Sequence, residues 1–140
     1  MECRMEHVNM TVRSIDKAVR FVTAAFPEFR VRGSKKNSED TRKKWLHIGT
    51  EKTYVALEEV NPPSETGRAP YENPGINHIG FVVDDLDGLI ERVRSAGYDP
   101  GELAEDIDSR KRTYIFDENG VEWEFVQYLT DDPEQANVYQ

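Results

Sequence analysis

His7-Val8-Asn9-Met10-Thr11-Val12 and, 71 residues later, His78-Ile79-Gly80-Phe81-Val82-Val83 read as two versions of one strand. The match continues without a gap. Ile15 falls on Leu86, Asp16 on Asp87, Ala18 on Leu89, Val19 on Ile90 and Val22 on Val93. Each copy is a stretch of alternating polarity, a hydroxyl-bearing or acidic turn, and then an apolar pattern at i, i+3, i+4, i+7. That order predicts a strand followed by an amphipathic helix, twice, so the chain is an internal repeat.

Working outward, Ser14 and Asp85 sit where N-caps belong, since their oxygens can accept from the first free helical amides. Pro27 should stop the first helix, and Gly97 suits a left-handed cap on the second. Further strands are expected at Phe29–Arg32, Lys44–Ile48 and Thr53–Val60, and again at Tyr98-Asp99 (a weak signal), Arg112–Phe116 and Val121–Tyr128. Asp117-Glu118-Asn119-Gly120 predicts a hairpin joining the last two. Each half therefore reads strand–helix–strand–strand–strand. We expect one domain over 1–140, with modules at 4–60 and 76–129, a Pro/Gly-rich linker loop at 61–75 and a polar tail at 130–140.

The 140 residues carry 18 basic and 27 acidic side chains, a formal charge of −9, with 37% hydrophobic and 10% aromatic residues. This is enough apolar matter for a core. No apolar run reaches the roughly 18–20 residues of a membrane span, and no secretory leader is visible, which predicts a cytoplasmic protein with no membrane partner. The acidic balance argues against nucleic acid, and the short basic run of Lys35-Lys36 and Arg42-Lys43-Lys44 reads as a solvated loop. Cys3 is the single cysteine, which excludes an internal disulfide and a Cys-rich zinc framework, and no motif around it supports a nucleophile.

Alternation decides which side chains share a face. Val8, Met10 and Val12, and in the repeat Ile79, Phe81 and Val83, should cover the helix side. His7, Asn9 and Thr11, like His78, Gly80 and Val82, then lie opposite. In the final strand of each half, Glu58 and Glu124 are candidates to meet the histidines, with Glu59 and Glu122 the competitors should a bulge reverse the parity. Two imidazoles and two carboxylates would make a divalent-metal site able to polarise a carbonyl, stabilise an enediolate or activate a water. His47 could line the same cavity, though a cross-strand structural role fits it better. Trp45 and Trp123 read as core or pocket wall.

These residues resemble the vicinal oxygen chelate superfamily, which includes glyoxalase I, bleomycin- and fosfomycin-resistance proteins, methylmalonyl-CoA epimerase and extradiol dioxygenases. The resemblance covers residues 4–129. It is carried by Glu6-His7-Val8 with Ser14-Ile15-Asp16-Lys17-Ala18, by Asn77-His78-Ile79-Gly80-Phe81-Val82-Val83, and by Asp117 to Phe125, which resembles the family's D-x-x-G-x-x-hydrophobic-E ending. It implies an α+β fold of two tandem βαβββ modules forming a curved, barrel-like mixed sheet with the helices outside. It also implies metal ligation by His7, Glu58, His78 and Glu124, with Glu124 as leading base and Glu58 its partner, closest to glyoxalase I. One divalent ion per site (Zn, Ni, Co, Mn or Fe) is then the cofactor. Thr11 stands where glutathione-using members carry arginine, which argues against glutathione, while Arg13, two residues on and on the same face by alternation, could compensate. Asn9, Thr11, Arg13, Trp45 and His47 are the candidate substrate-pocket residues.

The functional expectation is a metal-dependent lyase or isomerase of glyoxalase type acting on a small oxygen-chelating substrate. The alternatives are a metal-free protein of bleomycin-resistance type that captures a small molecule, and, ranked lower, an iron-dependent extradiol-type dioxygenase. Unpaired sheet edges predict a homodimer.

Overall fold

The structure, a computed structural model, describes residues 1, 3–35, 44–59, 69–72, 74–101, 103 and 108–136. Much of the basic run at 35–44, most of the 61–75 linker and the end of the tail lie outside the described residues. The chain divides into two compact units, Met1–Gly67 and Arg68–Gln140.

In the first unit, β1 (His7–Val12) leads into α1 (Ile15–Ala25), followed by β2 (Arg30–Lys35), β3 (Lys44–Gly49) and β4 (Tyr54–Glu59). The sheet order is β1-β4-β3-β2, with β1 parallel to β4 and the other pairs antiparallel. Helix α1 begins where Ser14 Oγ accepts from Lys17 N–H, and it ends before Pro27, which forces the preceding Phe26 out of helical geometry. Its buried stripe of Ile15, Ala18, Phe21, Val22 and Ala25 packs on β3 and β4, whose Leu46, Ile48, Val55 and Leu57 are buried too. Each large apolar side chain taken from water there stabilises the unit by about 1.5–3 kcal/mol.

In the second unit, β5 (His78–Val82) leads into α2 (Leu86–Ser95), then β6 (Arg110–Phe116) and β7 (Glu122–Tyr128), with a short α3 (Pro133–Ala136) after them. The sheet order is β5-β7-β6, β5 parallel to β7 and β6 antiparallel to it. Asp85 caps α2 by accepting from Gly88 N–H at 2.9 Å. Trp123, Phe125 and Ile115 form the core with Leu86, Leu89 and Val93.

One expected strand is not there: Tyr98-Asp99 is not extended pairing. Gly97, at φ +92°, closes α2 in a Schellman turn, Gly97 N–H donating to Arg94 O and Tyr98 N–H to Val93 O. The amide a ladder would need is thus already used. Asp99 Oδ1 accepts from Gly101 N–H in a local turn, and Pro100 has no donor to offer. The second unit therefore has three strands among the described residues, against four in the first. No helix among them is long and apolar enough to cross a membrane.

Candidate functional site

In the second unit the register sets His78 opposite Glu122 and Gly80 opposite Glu124. Alternation buries Trp123 and Phe125 completely and turns the two glutamates to the face away from that core. His78 Nε2 lies 3.1 Å from Glu124 Oε2. Gly80 lies directly beside that carboxylate, where a Cβ would stand in ordinary van der Waals contact, 3.4 Å, with Glu124 Oε2. Tyr114, directly across on β6, donates its Oη–H to Glu124 Oε1 at 2.8 Å and stands edge-on to His78. Burial, then this hydrogen bond, pushes the Tyr114 phenol pKa up. From the loop before β5, Tyr71 Oη lies 2.5 Å from Glu122 Oε2 and 2.9 Å from His78 Nδ1. The hydrogen bond to Glu122 is the main reason the Tyr71 phenol is pushed up to about 12.

Beside this cluster opens a cavity of about 340 Å³, lined by His78, Glu124, Tyr114, Arg112, Arg110 and Tyr128 among others. Arg110 is buried and donates to Ala136 O. Arg112 is half-buried, and its guanidinium has no hydrogen-bond or ion-pair partner among the described residues. Neither arginine was singled out in the sequence, although Arg110-x-Arg112-x-Tyr114 alternates onto the Glu124 face and carried the signal.

In the first unit, His7 on the edge strand β1 stacks on Tyr54 (centroids 4.6 Å apart), and its Nδ1 lies 3.0 Å from Glu6 Oε1. His47 approaches the same tyrosine at 4.9 Å, Trp45 lies 4.8 Å beyond His47, and Arg32 caps the Tyr54 ring at 4.2 Å. His7, Tyr54, His47 and Trp45 thus form a row of rings across one sheet face. Hydrogen bonding from His7, then from Tyr54, lowers the Glu6 carboxyl pKa. Asn9 Nδ2 donates to Glu58 Oε1 at 3.2 Å, and Thr11 stands directly opposite Glu58. Arg13 is exposed in a bend past the end of β1, so strand alternation does not fix its direction.

The two modules are equivalent in their histidines and not in their carboxylates. His7 pairs with Tyr54 as His78 pairs with Glu122, so the residue in the place of Glu124 is Ala56, opposite Asn9. Glu58, opposite Thr11, is four residues past the partner of His7, about 13 Å along the strand. The helix caps confirm this register independently. Glu59 Oε2 accepts from Ile15 N–H at 3.0 Å, and Gln127 Oε1 accepts from Leu86 N–H at 3.0 Å, each reaching the helix side from the equivalent position. Glu59, a competitor in the sequence, is therefore a helix cap, while Glu122 faces the histidine side through Tyr71.

The donor chemistry suits a divalent ion. Two ligand atoms bound side by side at about 2.0–2.2 Å and near right angles sit about 3 Å apart, and the His78–Glu124 gap has that span. Within neither unit do three or more His, Cys, Asp or Glu side chains gather to hold a metal, among the described residues.

This chain belongs to the Glyoxalase/Bleomycin resistance protein/Dioxygenase superfamily, whose sequence profile matches residues 4–125. Solved structures share its tandem fold. The fosfomycin resistance protein FosX from Mesorhizobium loti is 19% identical with a TM-score of 0.70, the match covering 96% of this chain and 98% of that one. A glyoxalase/bleomycin resistance/dioxygenase domain from Frankia sp. is 19% identical with a TM-score of 0.74, covering 91% and 99%. A FosX variant from Listeria monocytogenes, 16% identical with a TM-score of 0.65 and covering 97% and 96%, was crystallised with Mn(II) and a dihydroxypropylphosphonic acid. No curated protein matches the sequence.

Proposed function

We propose that this protein is a divalent-metal-dependent enzyme of glyoxalase-like chemistry, moving a proton on a small oxygen-chelating substrate that carries an acid group. The observation that carries this reading is the His78–Glu124 pair opening onto a cavity lined by Arg112, whose guanidinium has no ion-pair partner among the described residues. His78 Nε2 and Glu124 Oε2 would hold the ion, with His7 as the further imidazole. When bound, a divalent ion supplies a Lewis acid that gathers and polarises vicinal substrate oxygens. Tyr114 occupies Glu124 Oε1 and leaves Oε2 for that task. Glu58, four residues past the partner of His7 on β4, is proposed as the base and not as a ligand, with Asn9 holding Oε1 and Oε2 left to take the proton. Arg112 lies one register step (about 7 Å) from the Tyr114–Glu124 row, a span that suits a compact hydroxy- or keto-acid, or a phosphonate, with its acid group on the guanidinium. Its positive charge argues against capture of a cationic ligand. The Mn(II) and phosphonic acid bound to a FosX variant support both halves of the reading. A homodimer and a cytoplasmic setting go with it, the exposed free Cys3 being suited to a reducing compartment.

Titration of metal-free protein with Mn(II) or Zn(II) tests the proposal. About one equivalent should bind per site. His78→Ala and Glu124→Gln should each weaken binding by about 100-fold or more, while Glu58→Gln stays within about threefold. Under about a tenth of an equivalent bound, with ligand stabilisation untouched by EDTA, would move the protein to the metal-free class.

A further inference from the structure

Tyr71 reaches the site from a loop and contacts two of its side chains at once, and no motif in the sequence points to it. Its backbone sits at φ +67°, a left-handed conformation that bulky side chains rarely adopt. Two contacts hold it there. Tyr71 N–H donates to Asn77 Oδ1 at 2.7 Å, and Tyr71 Oη lies between Glu122 Oε2 at 2.5 Å and His78 Nδ1 at 2.9 Å. Much of the ring is exposed, so burial of apolar surface does not explain the arrangement.

The proton count in this chain of contacts is restrictive. An ionised Glu122 has only lone pairs to offer, and the phenol has one proton, which therefore goes to Glu122. What faces His78 is then a phenol lone pair, and His78 Nδ1 must carry a hydrogen to meet it. That leaves Nε2 as the nitrogen aimed at Glu124 Oε2, itself an acceptor, across 3.1 Å. A gap of that length is closed by a proton, as an imidazolium–carboxylate pair, or by a metal ion.

From this geometry we infer that Tyr71, backed by Glu122, is a positioning residue that fixes His78 in its Nδ1–H form and so presents Nε2 as a ready metal ligand. The inference rests on the metal-centre reading above. It adds a partner outside the ligand set that acts through His78 and touches neither ion nor substrate. The strained tyrosine backbone is then accounted for, because it is what aims the phenol between the two side chains.

The test uses the whole chain in two measurements. Long-range ¹H–¹⁵N spectra of the metal-free protein, at about pH 8 where an ordinary imidazole is neutral, report which His78 nitrogen carries hydrogen. Mn(II) titration reports affinity. Wild type should show Nδ1–H. Tyr71→Phe should shift His78 toward the Nε2–H form that free imidazole side chains favour and weaken Mn(II) binding by about 10–100-fold. Glu122→Gln, which keeps an acceptor for the phenol, should retain the wild-type tautomer. An Nε2–H His78 in wild type overturns the inference without any variant. An unchanged tautomer in Tyr71→Phe, or an affinity within about threefold of wild type, overturns it while leaving the metal centre standing. A Tyr71-dependent tautomer in a protein that binds no Mn(II) supports the positioning role and overturns the metal reading instead.

Discussion

Asp117 is 6% exposed, and its two oxygens accept from Asn119 N–H, Val121 N–H and Trp123 Nε1–H. Burial pushes its carboxyl pKa up, and those hydrogen bonds only partly oppose the shift. The folded chain therefore holds this proton more tightly than the unfolded chain. Its contribution is fully present below the ordinary aspartate value and is lost as pH rises through the raised folded value. Asp117→Ala should destabilise at every pH by about 1–3 kcal/mol, because it orphans the turn amides. The stability gap between wild type and variant should also narrow from about pH 4 upward; urea unfolding at several pH values measures it, and a gap constant with pH would contradict the assignment. The Asp-Glu-Asn-Gly run made the turn legible in sequence. The link to Trp123 was not, since it depends on a side chain six residues on folding back over the turn.

Among the strands, register outweighs composition. Alternation correctly separates Trp123 and Phe125 from Glu122 and Glu124, and Val55 and Leu57 from Glu58. It cannot say how far along a partner strand each residue falls. Parity placed Glu58 and Glu124 on matching faces; hydrogen-bond register places Ala56, and not Glu58, in the position of Glu124. The helix caps illustrate the same limit, because Ser14 and Asp85 are local signals while Glu59 and Gln127 cap from more than 40 residues away in sequence. Glu59→Ala should destabilise the first unit by about 1 kcal/mol in chemical unfolding, and Glu59→Gln, which copies its counterpart Gln127, should restore most of that. Equal losses in both variants would show that the Lys44 ion pair, and not the cap, is what Glu59 contributes.

At the scale of the molecule, each sheet taken by itself ends, among the described residues, in strands with one unpaired side: β1 and β2 in one, β5 and β6 in the other. Both candidate histidines ride on such edges. Open edges invite further pairing, and sedimentation at micromolar concentration should find twice the chain mass; a strictly monomeric species would separate the fold from the proposed assembly. A formal charge of −9 surrounds a cavity that itself presents Arg110 and Arg112. Net charge therefore says little about the ligand here, because a buried or half-buried guanidinium acts at contact distance while surface carboxylates are screened over about 8 Å at physiological salt.

The sequence by itself determined the repeat, the two helices with their stops, the hairpin, the superfamily and the facing of His7 and His78. Those follow from periodicities of 2 and 3.6 and from local capping, which neighbouring residues fix among themselves. Only the tertiary structure decided that Glu59 caps a helix, that Ala56 occupies the equivalent of the Glu124 position, that Arg112 lines the cavity and that the Tyr71 hydroxyl meets His78 Nδ1. Each of these depends on strand register or loop path, set by packing between residues distant in the chain, and no local pattern encodes it.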